Sequence, residues 1–186
     1  MVLKNSLLNS VFDKGPVIIL IGQSGSGKQT QSKALIEASK ELNPERGVYI
    51  AETGQIWRDS IPQMTPFCKN LLDQIQSAGQ LQSWVTTTSL WGSKFFHEYN
   101  GGLIIVDGSP RSLGEAQALF DFYYGFARKE IIIFSLDISD EESEKRMVSR
   151  NDALVKAGGI ARSDTDTPEK RKTKIAYFHT DVKPAI

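Results

Sequence analysis

The chain has 186 residues, with 22 lysines and arginines against 22 aspartates and glutamates and 40% apolar residues. That length suits one domain with room for small inserted flaps, and the zero net charge gives no global basic field for nucleic acid, so small-molecule partners are expected. The single cysteine, Cys68, excludes an internal disulfide and a multi-cysteine zinc site, and reads as a small buried hydrophobe. The N-terminus lacks a secretory pattern and no apolar run approaches about 18 residues, so a soluble, cytoplasmic monomer with no membrane segment is expected.

Taken in chain order, four apolar runs read as strands: Pro16 to Ile21, Gly47 to Ala51, Gly102 to Val106 and Ile131 to Leu136. Between them, helical spacing runs over Lys28 to Leu42, Phe67 to Ala78, Leu81 to Tyr99, Gly114 to Arg128 and Glu141 to Arg150. Near-continuous apolar strands alternating with helices predict an α/β fold, a parallel sheet covered on both faces. In such sheets ligands bind beyond the carboxyl ends of the strands, so the residues after each strand are the ones to inspect.

After the first strand stands Gly22-Gln-Ser-Gly-Ser-Gly27-Lys28-Gln-Thr30, a glycine-rich turn opening into a helix. Glycines let successive N–H groups turn inward, the helix N-terminus adds positive potential, and Lys28 brings a full charge to a polyphosphate. After the second strand comes Thr53-Gly-Gln-Ile-Trp-Arg58, and after the third Asp107-Gly-Ser-Pro-Arg111. Asp107 is placed to accept from magnesium-bound water, and Arg111 to pair bidentately with a phosphate. Arg146 and Arg150, four residues apart, share one helix face.

These segments, in this order, resemble the adenylate kinase family, whose phosphate loop reads Gly-x-x-Gly-x-Gly-Lys-x-Thr-Gln and whose acceptor side carries Thr-Gly-x-x-x-Arg and Asp-Gly-Phe-Pro-Arg. The resemblance implies a P-loop NTPase three-layer fold, formed by a single kinase domain over 1–186. It also implies small insertions, an NMP-binding one over about 52–82 and a short lid over about 150–163. The implied reaction is direct in-line transfer of the γ-phosphoryl group of Mg-ATP to a nucleoside monophosphate, AMP first. By the same resemblance Gly25, Ser26, Gly27, Lys28, Gln29, Thr30 and Arg146 hold ATP, and Thr53, Arg58, Gly108, Arg111 and Glu115 hold the acceptor. Lys28, Arg111, Arg150 and Arg162 act in transfer, and Thr30 and, through water, Asp107 face the magnesium ion. Lys174 stands where the family has an arginine.

Four departures bear on this expectation. Where the family has a glutamine that reads the acceptor adenine stands Glu115; an ionised glutamate only accepts, which suits guanine better than adenine. Gln55 replaces a usual acidic residue, Gln82-Ser83 replaces an apolar residue and proline, and the family's last strand and helix have no counterpart after Ile186. Two other functions therefore stay open: a kinase for GMP, a pyrimidine monophosphate or another acceptor, and a nucleotide-binding module with little turnover. His97 and His179 show no acid-base partner. Trp84 and Trp91 read as core, and Trp57, beside Arg58, as core or as a wall of the acceptor pocket.

Overall fold

The computed structural model describes residues 15–77, 82–126, 130–158 and 167–185. Four strands, β1 (Val17–Gly22), β2 (Val48–Glu52), β3 (Leu103–Asp107) and β4 (Ile131–Leu136), form one parallel sheet in the order β2-β3-β1-β4. Around it run α1 (Lys28–Leu42), α2 (Thr53–Ser60), α3 (Pro66–Ser77), α4 (Trp84–Glu98), α5 (Leu113–Phe120), α6 (Asp140–Lys156) and α7 (Pro168–Tyr177). A π-helical turn, Asp121–Phe126, extends α5, and another, Phe178–Val182, extends α7. Among the described residues no helix is long and apolar enough to cross a membrane.

The period of two along a strand divides the core. Val17, Ile19 and Ile21 of β1 face one layer with Ile104 and Val106 of β3, joined by Trp91 and Phe95 of α4, Leu119 of α5, and Phe178 and Val182. Ile18 and Leu20 face the other with Leu103 and Ile105, packed against Leu35 and Ile36 of α1. Each such side chain taken fully from water is worth about 2 kcal/mol, so the central strands β1 and β3 carry the sheet. The α/β three-layer P-loop architecture expected from the sequence is what the chain forms, with helices on both faces.

Local details differ from the sequence expectations for physical reasons. Among the described residues β4 is an edge strand paired only with β1, and its Ile133 and Phe134 are about half exposed, not buried. Cys68 is exposed, because α3 turns Leu72 inward instead. Trp91 is core, as is Trp57, whereas Trp84 is 46% exposed and lays its indole on the backbone of Gly114. The helix over Thr53–Ser60 is too short and too polar for periodicity to reveal.

The β2–β3 pairing is closed at its start by two glycines. Gly102 has φ of 92°, and a Cβ there would lie 1.9 Å from the Gly47 carbonyl oxygen, which itself accepts from Leu103 N–H at 3.0 Å. Replacement Gly102→Ala is expected to cost about 3 kcal/mol, from a strained φ plus a backbone collision, read as a shift in the urea midpoint with an unchanged slope.

Candidate active site

The parallel register brings the carboxyl ends of three strands together. Asp107 of β3 stands opposite Leu20 of β1 and Glu52 of β2, so the loops leaving these strands meet over one cleft. That cleft, about 160 Å³, is lined on one side by Gly22, Gln23, Ser24 and Lys28, and on the other by Gly108 to Arg111. Lys174 and Tyr177 of α7 close it. A larger groove of about 330 Å³ runs between α4 and α5, along Thr88, Ser89, Gly92, Ser93 and Phe96, but its lining has no ionisable group and suits no phosphate.

The turn between β1 and α1 has the geometry of a phosphate cradle. Gly25 and Gly27 have φ of 84° and 95°, conformations that side chains resist. Helix α1 begins at Gly27 with no side-chain cap and no acidic residue in its first turn. By contrast, α6 is capped by Ser139 and opens with Asp140, Glu141 and Glu142. The first N–H groups and the positive end of α1 are thus left for an anion. Lys28 bends back over the loop and donates from Nζ to the carbonyls of Gly22 and Gln23, each at 2.8 Å.

One face of α6 holds this loop from outside. The Gln23 amide donates to Asp140 Oδ1 at 2.7 Å, Ser143 Oγ donates to the Ser24 carbonyl at 2.8 Å, and Arg146 Nη1 to the Gly25 carbonyl at 3.3 Å. A Cβ on Gly25 would lie 3.1 Å from that of Arg146. The helix spacing of these partners matches one consecutive stretch of loop. His179 Nε2 also meets Asp140 Oδ1, at 2.9 Å, so the turn after α7 joins the same cluster. Sequence reasoning missed Gln23, Asp140, Ser143 and His179 because they pair across 39 to 119 residues of chain.

The electrostatics follow from burial. Desolvation pulls the Lys28 ammonium below its ordinary pKa; Asp107 opposes this, and Arg111 and Arg150 reinforce it. Desolvation likewise pushes Asp107 up, against the pull of Lys28, with Glu52 adding to the rise and Arg111 opposing it. Lys28 thus feels the charges of Asp107, Arg111 and Arg150, and Asp107 those of Lys28, Glu52 and Arg111. Thr30 is exposed at the start of α1. A hydroxyl and one carboxylate are hard oxygen donors that suit a magnesium ion held mostly by phosphates and water, and no cluster of three or more ligating side chains occurs among the described residues.

On the side expected to take an acceptor, Arg111 Nε donates to the Gly108 carbonyl at 2.7 Å. Arg58 is exposed and held by Gln55 Oε1 at 2.7 Å and Glu52 at 3.3 Å, which gives the departure at Gln55 a role of its own. Thr53 is buried and bonds Ser109. Glu115 is 2% exposed and does not line the cleft; its carboxylate accepts from the loop of Gly108 to Arg111. Arg162 and the acidic pair near it lie outside the described residues, as do the end of the expected lid and residues 78–81 of the expected acceptor insertion.

Adenylate kinases of Brucella ovis, Brucella canis and Brucella anthropi are each 28% identical to the chain over 167 residues, covering 90% of it and 81% of their own length. The chain is similar to adenylate kinases along nearly its whole length, and this similarity indicates a phosphotransferase. No protein-family model matches the chain.

The contact of His179 with Asp140, followed by that of the Gln23 amide, holds the Asp140 carboxyl below its ordinary value of 3.8. A lowered carboxylate pKa contributes stability that is fully present above that ordinary value and is lost as pH falls through the lowered one. The thermal midpoint of Asp140→Ala is therefore expected to lie below that of the natural chain at neutral pH and to converge with it at acid pH, once the lowered pKa is passed. An equal deficit at both would assign Asp140 to packing alone.

Proposed function

We propose that the chain is a nucleoside monophosphate kinase that transfers the γ-phosphoryl group of ATP directly to an acceptor monophosphate, with AMP as the first candidate. The observation that carries this reading is the meeting of Lys28, Arg111 and Lys174 over one cleft at the carboxyl ends of parallel strands, with Asp107 ending β3 next to the Gly108 that lines it. Two nucleotides bound in line bring several negative charges together, and the reaction needs positioning and charge neutralisation more than a nucleophile or general base.

In this reading the loop N–H groups of Gly25 to Thr30 cradle the donor phosphates. Lys28 leaves the loop carbonyls for the β- and γ-phosphates, and Arg150 reaches the transferring group with Arg162. Arg146, already against the Gly25 carbonyl, borders the donor nucleotide. On the other side Thr53, Arg58, Gly108 and Arg111 hold the acceptor phosphate. Magnesium, held by Thr30 and through water by Asp107, supplies further charge neutralisation when bound. Lys174 adds a point charge where the family has a fork. Flaps over about 52–82 and 150–163 would close on the bound pair and keep water from competing. A second acceptor class, GMP or a pyrimidine monophosphate, stays open, because Glu115 stands where the family's adenine-reading glutamine would be and is turned inward.

The deciding assay supplies Mg-ATP with AMP, GMP, CMP, UMP or dTMP and follows the diphosphates. Two ADP per AMP consumed is the expected stoichiometry with AMP, and Lys28→Met is expected to abolish it. Measurable ATP binding with no product from any acceptor would leave a binding module instead. Arg111→Lys, which exchanges a planar fork for a point charge, is expected to lower kcat/KM about 100-fold through the acceptor, read as separate KM values for acceptor and ATP.

A further inference from the structure

The strongest observation that the proposed reaction does not use is a buried chain of hydrogen bonds behind the acceptor loop. Ser109 Oγ donates to Glu115 Oε1 at 2.5 Å, and Arg111 N–H donates to Glu115 Oε2 at 2.7 Å. Ser109 has one hydroxyl proton. Because it goes to the carboxylate, the 2.6 Å contact between Ser109 and Thr53 must run the other way, with Thr53 Oγ1 donating to Ser109 Oγ. The order is therefore Thr53 to Ser109 to Glu115, with Arg111 N–H arriving from the far side. All three side chains are essentially buried, Thr53, Ser109 and Glu115 each at 2% exposure. Glu115 N–H in turn donates to the Ser112 cap at 3.3 Å, which fixes the carboxylate to the first turn of α5.

Two of these residues depart together from the pattern the chain otherwise resembles: serine stands in place of phenylalanine, and glutamate in place of glutamine. Each explains the other. A carboxylate on the first turn of α5 needs donors once it is out of water, and a serine hydroxyl plus a backbone N–H supply one to each oxygen.

From this geometry we infer that Glu115 is a positioning residue and not a reader of the acceptor base. Its carboxylate ties the backbone of Arg111 to α5 and, through Ser109, to Thr53 at the start of α2. It thus holds the two arms of the acceptor site in register, and the acceptor base is left without side-chain discrimination at position 115. The inference rests on the kinase reading for its kinetic consequence, but its structural content does not.

The test has two arms. In the first, amide hydrogen exchange on the free, full chain reads the Arg111 N–H. Strong protection in the natural protein, lost in Glu115→Ala and in large part kept in Glu115→Gln, is expected; exchange at the open-loop rate in the natural protein would overturn the clamp. This arm needs no turnover, so it stands even where no acceptor is phosphorylated and the kinase reading fails. In the second, kcat/KM is measured with AMP, GMP, CMP and UMP for Glu115→Ala, Glu115→Gln and Ser109→Ala. A displaced Arg111 is expected to lower kcat/KM about 10- to 100-fold for every acceptor alike in Glu115→Ala. The loss should be smaller in Ser109→Ala, and Glu115→Gln should recover part of it without reordering the acceptors. Glutamine can still accept from Arg111 N–H while its amide donates to Ser109, which reverses the hydroxyl chain but keeps both contacts. A change of about tenfold or more in the AMP to GMP preference on Glu115→Gln would overturn the inference and return position 115 to base reading.

Discussion

A loop of glycines is the least ordered piece of backbone a protein can place at its most demanding site, and holding it still is the constraint on which the rest of this molecule turns. The N–H groups between Gly22 and Thr30 serve a polyphosphate only when they point inward together, yet glycine resists such ordering through its conformational entropy. Helix α6 resolves this from outside, through Asp140, Ser143 and Arg146 against three consecutive loop residues. Lys28 resolves it from inside, by donating to the carbonyls of Gly22 and Gln23. The cap and acidic first turn of α6 secure that helix end, so its own stability is independent of the loop it holds.

The sheet does the complementary work of concentrating charge. Parallel strands end side by side, and the register that aligns Asp107 with Leu20 and Glu52 leaves an aspartate and a lysine partly desolvated at the same place. Each is held away from its ordinary pKa by burial and only partly relieved by the other. A ligand that brings phosphates and a divalent cation would offset both penalties at once, which is why such groups are tolerated here. Binding strength and the strain of the free site are two sides of one arrangement.

Much of this was readable from the residues alone. The strands are short branched runs and their bounds fall within about a residue of those expected; α1 falls on Lys28–Leu42 because a helix after a glycine turn with strong formers has little alternative. The loop motifs sit at strand ends because their chemistry is local in sequence. What was not readable depends on distant contacts. The α6 face, the Asp140 and His179 pairing, and the outward turn of Cys68 and Trp84 are set by which neighbours arrive, and periodicity carries no record of that. Glu115 is the instructive case: its identity was visible and its departure noted, but whether its carboxylate looks toward a ligand or back into the loop depends on the hydroxyl of Ser109, six residues earlier.

The placement of the three tryptophans has an experimental use. Trp57 and Trp91 are sealed in apolar surroundings, whereas Trp84 stands half in solvent with its indole across Gly114, next to the α5 turn that carries Glu115. Emission from the two sealed rings forms a constant blue background, and the half-wet ring supplies a red component that solvent quenchers reach first. The chain thus carries, without any label, an optical probe beside the first turn of α5, able to time the wetting and drying of that surface apart from events at the phosphate loop.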